Sequence, residues 1–209
     1  MEVLSYALLA VAIGMVAVRD QGLFIGMTAL QALLLGVQAA WLGWEHGETA
    51  LYWAAGLTWA IKGLAIPIFL RGIIRRIRHC GGADGTLTTK LSLLIAVGLT
   101  LTAYYVTATL PEAQGPGGQT LPVGVATMLI GVFLMVSRRV AMTQALGLLV
   151  MENGLFVATL ATTGGLPLLV DVGIFFDVLV GAVIAGLLVH RINNAFESVD
   201  TAGLRRLRG

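Results

Sequence analysis

Three ionisable side chains stand inside long apolar stretches of this sequence: Lys62 in "LTWAIKGLAIPIF", Glu152 in "LGLLVMENGLFVATL" and Asp177 in "VGIFFDVLVGAV". No Lys or Arg occurs from Val140 to Val189, so neither acid has a basic neighbour on its own stretch. A charge placed in hydrocarbon costs about 3 kcal/mol even on the milder scales, and such groups usually face a protein interior or a water-filled path. Burial favours the neutral form of any ionisable group, which brings acids into a range where they take up and release protons near neutral pH. That is the chemistry of proton transfer, and it needs no bound substrate. The plainer alternative is a buried ion pair, Lys62 with either Glu152 or Asp177, that fixes helix register. A proton relay could itself use such a pair, so the residues alone leave both open.

The elements that must position these groups follow from composition. Of 209 residues, 57% are hydrophobic and 11% charged, too little charge to cover a soluble domain, which points to a polytopic membrane protein. Apolar runs of about 20 residues, the length that spans a bilayer as helix, fall near 3–18, 22–43, 50–71, 88–110, 120–136, 140–162 and 166–189. The expected fold is therefore all-α with seven transmembrane helices. At ~1.5 Å per residue, Lys62, Glu152 and Asp177 each lie on the order of 15 Å from their helix ends, in one layer.

Basic residues collect at cytoplasmic helix ends. With the N-terminus outside and the C-terminus inside, seven crossings put Arg19, the group Arg71, Arg75, Arg76, Arg78 and Lys90, the pair Arg138 and Arg139, and Arg191 with Arg205, Arg206 and Arg208 on one face. Twelve of the thirteen basic residues obey this rule, and Lys62 is the exception. Six or eight crossings would split the basic groups across both faces. The start, "MEVLSYALLAVAIG", has its acid before the apolar run and its arginine after it, the reverse of a secretory signal, and is expected to be a retained helix.

Little else in the chain suggests chemistry. A single cysteine, Cys80, excludes a disulfide framework or an iron–sulfur site held within this chain. His79 beside it makes two candidate ligands, too few for a metal site, while His46 and His190 fall at helix ends. "GGADG" has no preceding strand and is no nucleotide loop. No catalytic residue, cofactor site or metal site is expected. Pro67, five residues after Lys62, should loosen the third helix and free the carbonyl of Gly63. Small-residue faces such as Gly22/Gly26, Ala54/Thr58 and Gly181/Ala185 would let helices approach closely.

Residues 62–76 superimpose on 177–191 at a shift of 115, with Lys62 on Asp177, Arg75 on His190 and Arg76 on Arg191. Helices one to three and five to seven thus read as a degenerate parallel repeat, with helix four as linker. The corresponding divisions are 1–86, an N-terminal three-helix unit with a basic cytoplasmic loop; 87–119, a linker helix and external loop; and 120–209, a second three-helix unit with a cytoplasmic tail. Helix two carries only Gln31 and Gln38 where helix six has its acid.

The segments "MVSRRVAMTQALGLLVMENG", "DVLVGAVIAGLLVHRI" and "NNAFESVDTAGLRRLRG" resemble the K-type subunit of bacterial complex I and the C-type subunit of Mrp-type cation/proton antiporters. The whole chain, with its "MENG" motif, is similar to the E-type membrane subunits of hydrogenase-4 and formate hydrogenlyase complexes. That resemblance implies a non-catalytic membrane-arm subunit of a complex I-related redox assembly in a bacterial or archaeal cytoplasmic membrane. Its partners would be large antiporter-like subunits, a membrane subunit like the H-type one of complex I, peripheral redox subunits and lipid, with no nucleic acid. Nickel–iron and iron–sulfur centres would reside only in those partner subunits. Asp177 takes the place of the K-type acid in the last helix. Glu152 is displaced by three residues from the other, which falls on Leu149; three positions keep nearly the same helix face. Lys62 has no K-type equivalent. The competing expectations are a stand-alone secondary transporter, an Mrp-type antiporter subunit, or a lipid-embedded spacer.

Overall fold

A computed structural model of the chain describes residues 2–76, 87–111, 115 and 118–163. Asp177, the expected seventh span and the second copy of the repeat motif lie outside them. The described part is all-helical: α1 (Glu2–Ala17), α2 (Gln21–His46), α3 (Thr49–Thr58), a π-helical segment (Trp59–Ala65), α4 (Ile66–Arg76), α5 (Thr89–Thr107), α6 (Thr120–Ser137) and α7 (Ala141–Thr163). Five spans are long and apolar enough to cross a membrane: 21–46, 49–72, 89–107, 120–137 and 142–162. α1 is apolar but has 16 residues. The chain is thus suited to a multi-pass membrane protein.

Turn chemistry sets the reversals. Asp20 caps α2, its Oδ1 accepting from the Leu23 amide at 2.7 Å. At the other end Gly47, at φ 69°, adopts the left-handed conformation and donates its amide to the Gly43 carbonyl. Glu48 donates to the same carbonyl, and α3 begins at the next residue. Between α6 and α7, the Gln144 side chain donates to the Arg138 carbonyl at 2.8 Å and fastens the bend.

α6 and α7 form the closest helix pair, and glycine makes it possible. A β-carbon on Gly131 would overlap the backbone of Met151, and one on Gly154 the backbone of Met128. A β-carbon on Gly124 would meet the Ala158 amide nitrogen at 2.5 Å, and one on Gly147 that of Met135 at 2.9 Å. Both helices thus place glycines seven residues apart on one seam. The expected small-residue faces fare differently. Ala54 and Thr58 are buried, whereas a β-carbon on Gly26 would make only ordinary contact with Arg71, at 3.7 Å. Gly181 and Ala185 fall outside the described residues. α5 packs on α1 and α6 but only 17% of its span is buried, against 61% for α6, so it lies at the margin of the described bundle.

The apolar core is divided. One cluster contains Phe24 and Ile25 of α2, Ile66 and Leu70 of α4, and Leu146 and Val150 of α7. The other contains Leu35 and Ala39 of α2, Ala54 and Ala55 of α3, and Phe156 and Val157 of α7. In three helices the division falls at the same level, and polar residues fill it.

Candidate functional site

Between the two clusters, α2 contributes Thr28 and Gln31, the third span contributes Thr58 and Lys62, and α7 contributes Glu152 and Asn153, all buried. Lys62 is 3% exposed and Glu152 4%, and the Lys62 Nζ lies 3.3 Å from Glu152 Oε1. The same ammonium donates to Asn153 Oδ1 at 3.2 Å. Two of the three expected site residues are therefore brought together, and Lys62 pairs with Glu152. Charge-assisted contact to a carboxylate and a fixed amide dipole offsets the cost of removing the ammonium from water.

The backbone at Lys62 is unusual. The chain winds as a π-helix from Trp59 to Ala65, with the Ile66 amide bonding to the Ile61 carbonyl five residues back. In that register the next rung would run from residue 67 to the carbonyl of Lys62, and Pro67 has no N–H to supply it. The loosening expected near Pro67 is present, but it takes the form of wider winding and moves the interrupted rung from Gly63 to Lys62. π-helical turns inside α-helices frequently occur at functional sites. The segment is held from outside by Trp59, whose Nε1 donates to the Leu33 carbonyl at 3.2 Å. Its indole fills the space that a side chain at Gly36 would need.

A polar seam continues from this layer along α2. Gln31 donates to the Leu8 carbonyl at 3.1 Å, and Gln38, two turns further on, donates to the Ser5 hydroxyl. Gln31 Oε1, Gln38 Oε1 and Asn153 Nδ2 are buried with no protein partner among the described residues. Buried amide groups of this kind are normally satisfied by internal water. The seam thus supplies oriented donors and acceptors next to an ion pair, which is the minimum equipment for passing a proton between waters.

Several of these residues escape a search for charge alone. Asn153 is uncharged and adjoins the conspicuous Glu152. Arg138, expected at the surface, is buried at the end of α6. Its Nη2 donates to the carbonyls of Met15, Val16 and Val18 at 3.1, 3.2 and 2.8 Å. It adds a donor to the carbonyl groups at the end of α1, where Met15 also accepts from the Val18 amide, and its guanidinium lies 5.3 Å from the centre of the Phe24 ring.

No protein-family model matches the chain, and no solved structure matches it. Among curated proteins it is similar to "Uncharacterized protein Rv0085" of Mycobacterium tuberculosis, 31% identical over 192 residues. The match spans 91% of this chain and 87% of the relative. Similarity of that extent means that the chain belongs to the same family as the mycobacterial protein.

Proposed function

We propose that this chain is a non-catalytic membrane-arm subunit of a hydrogenase-4-like, complex I-related redox assembly, and that Lys62 and Glu152 form part of its proton-translocation path. The observation that carries this is the Lys62–Glu152 ion pair, completed by Asn153, in a polar layer between two apolar cores. Intramembrane charge is functional by default. The π-helical backbone at Lys62 supports a group whose surroundings adjust as protonation changes. Asp177 is the third member on the strength of its sequence position and the resemblance to the K-type subunit.

In the proposed topology seven helices cross the membrane with the N-terminus outside and the C-terminus inside. Its support is the distribution of side chains along the described helices. Exposed Tyr6, Trp41, Trp44, Tyr52, Trp53, Tyr104 and Tyr105 lie toward the helix ends assigned outward. Arg19, Arg71, Lys90 and Arg139 lie at the opposite ends. This matches an aromatic interface belt opposed to a basic cytoplasmic face. The parallel repeat of 62–76 on 177–191 belongs to the same proposal.

Affinity purification of the tagged chain from its native membranes, followed by identification of the retained proteins, tests the assembly. Large antiporter-like subunits together with a nickel-containing redox subunit are the expected partners; recovery of the chain alone from gently solubilised membranes contradicts it. A second reading, a secondary transporter or an Mrp-type antiporter subunit, draws on the interrupted third span, since broken helices line carrier sites. Solute or ion flux by the purified chain alone in liposomes would favour the carrier.

A further inference from the structure

Trp59 lies deeper than the other tryptophans. Trp41, Trp44 and Trp53 stand toward helix ends, where indoles favour the membrane interface, whereas Trp59 follows the 10 residues of α3 and opens the π-helical segment. At that depth an indole N–H without an acceptor is costly. The Leu33 carbonyl of α2 supplies one, at 3.2 Å. The ring is admitted there because residue 36 has no side chain: a β-carbon on Gly36 would overlap the indole at Nε1, Cδ1 and Cε2. A β-carbon on Gly63 would lie 3.7 Å from the Leu33 side chain, so the same part of α2 faces the segment a second time.

The winding that follows decides where Lys62 goes. Residues three apart in an α-helix share nearly one face, so an α-helical turn after Trp59 would bring Lys62 round toward α2 with the indole. A π-helical turn holds more residues, and residue 62 is then turned further away from residue 59. Lys62 thus leaves the α2 side and reaches α7, where its Nζ lies 3.3 Å from Glu152 Oε1 and donates to Asn153 Oδ1 at 3.2 Å. The indole on one side of the segment and the ammonium on another are both accommodated by the wider turn.

We propose that the Trp59 indole, seated in the notch at Gly36, positions the ion pair: it fixes the start of the wide turn on α2 and so aims the Lys62 ammonium at Glu152 and Asn153. Gly36 and Trp59 are positioning residues, acting through Lys62. Groups of this kind hold their geometry only when a surrounding layer of packed side chains locks them. The consequence for proton transfer rests on the proposed path, whereas the aim of the ammonium does not and is measured directly.

The experiment follows the ammonium itself. Lys62 and Lys90 are the two lysines of the chain, so the full chain carrying Lys90→Arg, isotope-labelled at lysine Nζ and at the glutamate carboxyl carbon, gives a lysine signal from Lys62 alone. Solid-state NMR in lipid bilayers reads the dipolar coupling between that Nζ and the Glu152 carboxyl carbon, which falls with the cube of their distance. A site whose support is removed loosens by about 1 Å, so Trp59→Phe lowers the coupling about twofold and Gly36→Ala at least as much. Trp59→Phe reads the effect even if Gly36→Ala does not assemble. Gly43→Ala is the control, because it crowds α2 against Leu51 and Tyr52 of α3 away from the indole, and it leaves the coupling unchanged. In a Trp59→Leu background, Gly36→Ala has no further effect, since the ring it displaces is gone. Wild-type coupling in Trp59→Phe and Gly36→Ala overturns the proposal, and so does equal loss in Gly43→Ala, which makes the effect one of general packing. Absence of the coupling in the wild type overturns the ion pair, and with it both this proposal and the proton path. The expected losses together with normal proton translocation in Glu152→Gln uphold the positioning and remove the path alone.

Discussion

Replacing Glu152 by Gln keeps the shape of the side chain and removes its charge, leaving the Lys62 ammonium buried against Asn153. At the observed 3.3 Å, an effective dielectric of ~20 gives an attraction of about 5 kcal/mol. Most of this is cancelled by the desolvation of both ions, so the intact pair contributes little relative to two neutral groups. Breaking it is different, because one ion stays in place and loses the opposite charge beside it, at a cost of about 3–5 kcal/mol. Glu152→Gln and Lys62→Met should each lower the unfolding free energy by about 3 kcal/mol. The double variant should lose much less than their sum, with a coupling of about 2–3 kcal/mol. Reversible denaturant titration of all four proteins in mixed micelles measures this cycle. Two single variants within ~0.5 kcal/mol of wild type, and strictly additive, would refute the buried pair.

Gly131→Leu should prevent α6 and α7 from closing, since its side chain meets the Met151 backbone; a loss of about 3 kcal/mol or more, seen as a lowered Tm in detergent, is expected. Arg138→Leu removes three hydrogen bonds to the end of α1 and should cost about 2–4 kcal/mol while leaving the α6–α7 glycine contacts in place. Hydrogen exchange should then rise first in the last turn of α1. Trp59→Phe deletes the bond to the Leu33 carbonyl, costs about 1 kcal/mol and should raise amide exchange within the π-helical segment more than in α6.

The helices are legible in the sequence because runs of apolar residues this long have few alternatives, and each of the first six expected runs has a corresponding helical span among the described residues. Charges inside those runs are equally conspicuous, which is why Lys62 and Glu152 stand out before any packing is known. Their pairing is not legible, because Lys62 and Glu152 meet only when the third span packs beside α7. The π-helical winding is hidden for a related reason. Pro67 announces a fault in the ladder, but not whether the chain kinks or widens, and the Trp59 contact to α2 beside the wider turn involves a residue distant in sequence. The glycine seam is easily missed because its members repeat at seven residues and become a close contact only against the facing helix. Arg138 obeys the charge pattern of a surface residue, and its buried role depends on where α1 ends.

The role of the buried acid is decided by proton translocation in inverted membrane vesicles that carry the proposed redox assembly, with wild-type chain or with Glu152→Gln at matched assembly. A pH-sensitive dye reports proton movement while redox turnover is followed in parallel. If the ion pair lies on the proton path, Glu152→Gln lowers the protons moved per turnover severalfold. Unchanged proton movement per turnover in that variant would contradict the proposed path.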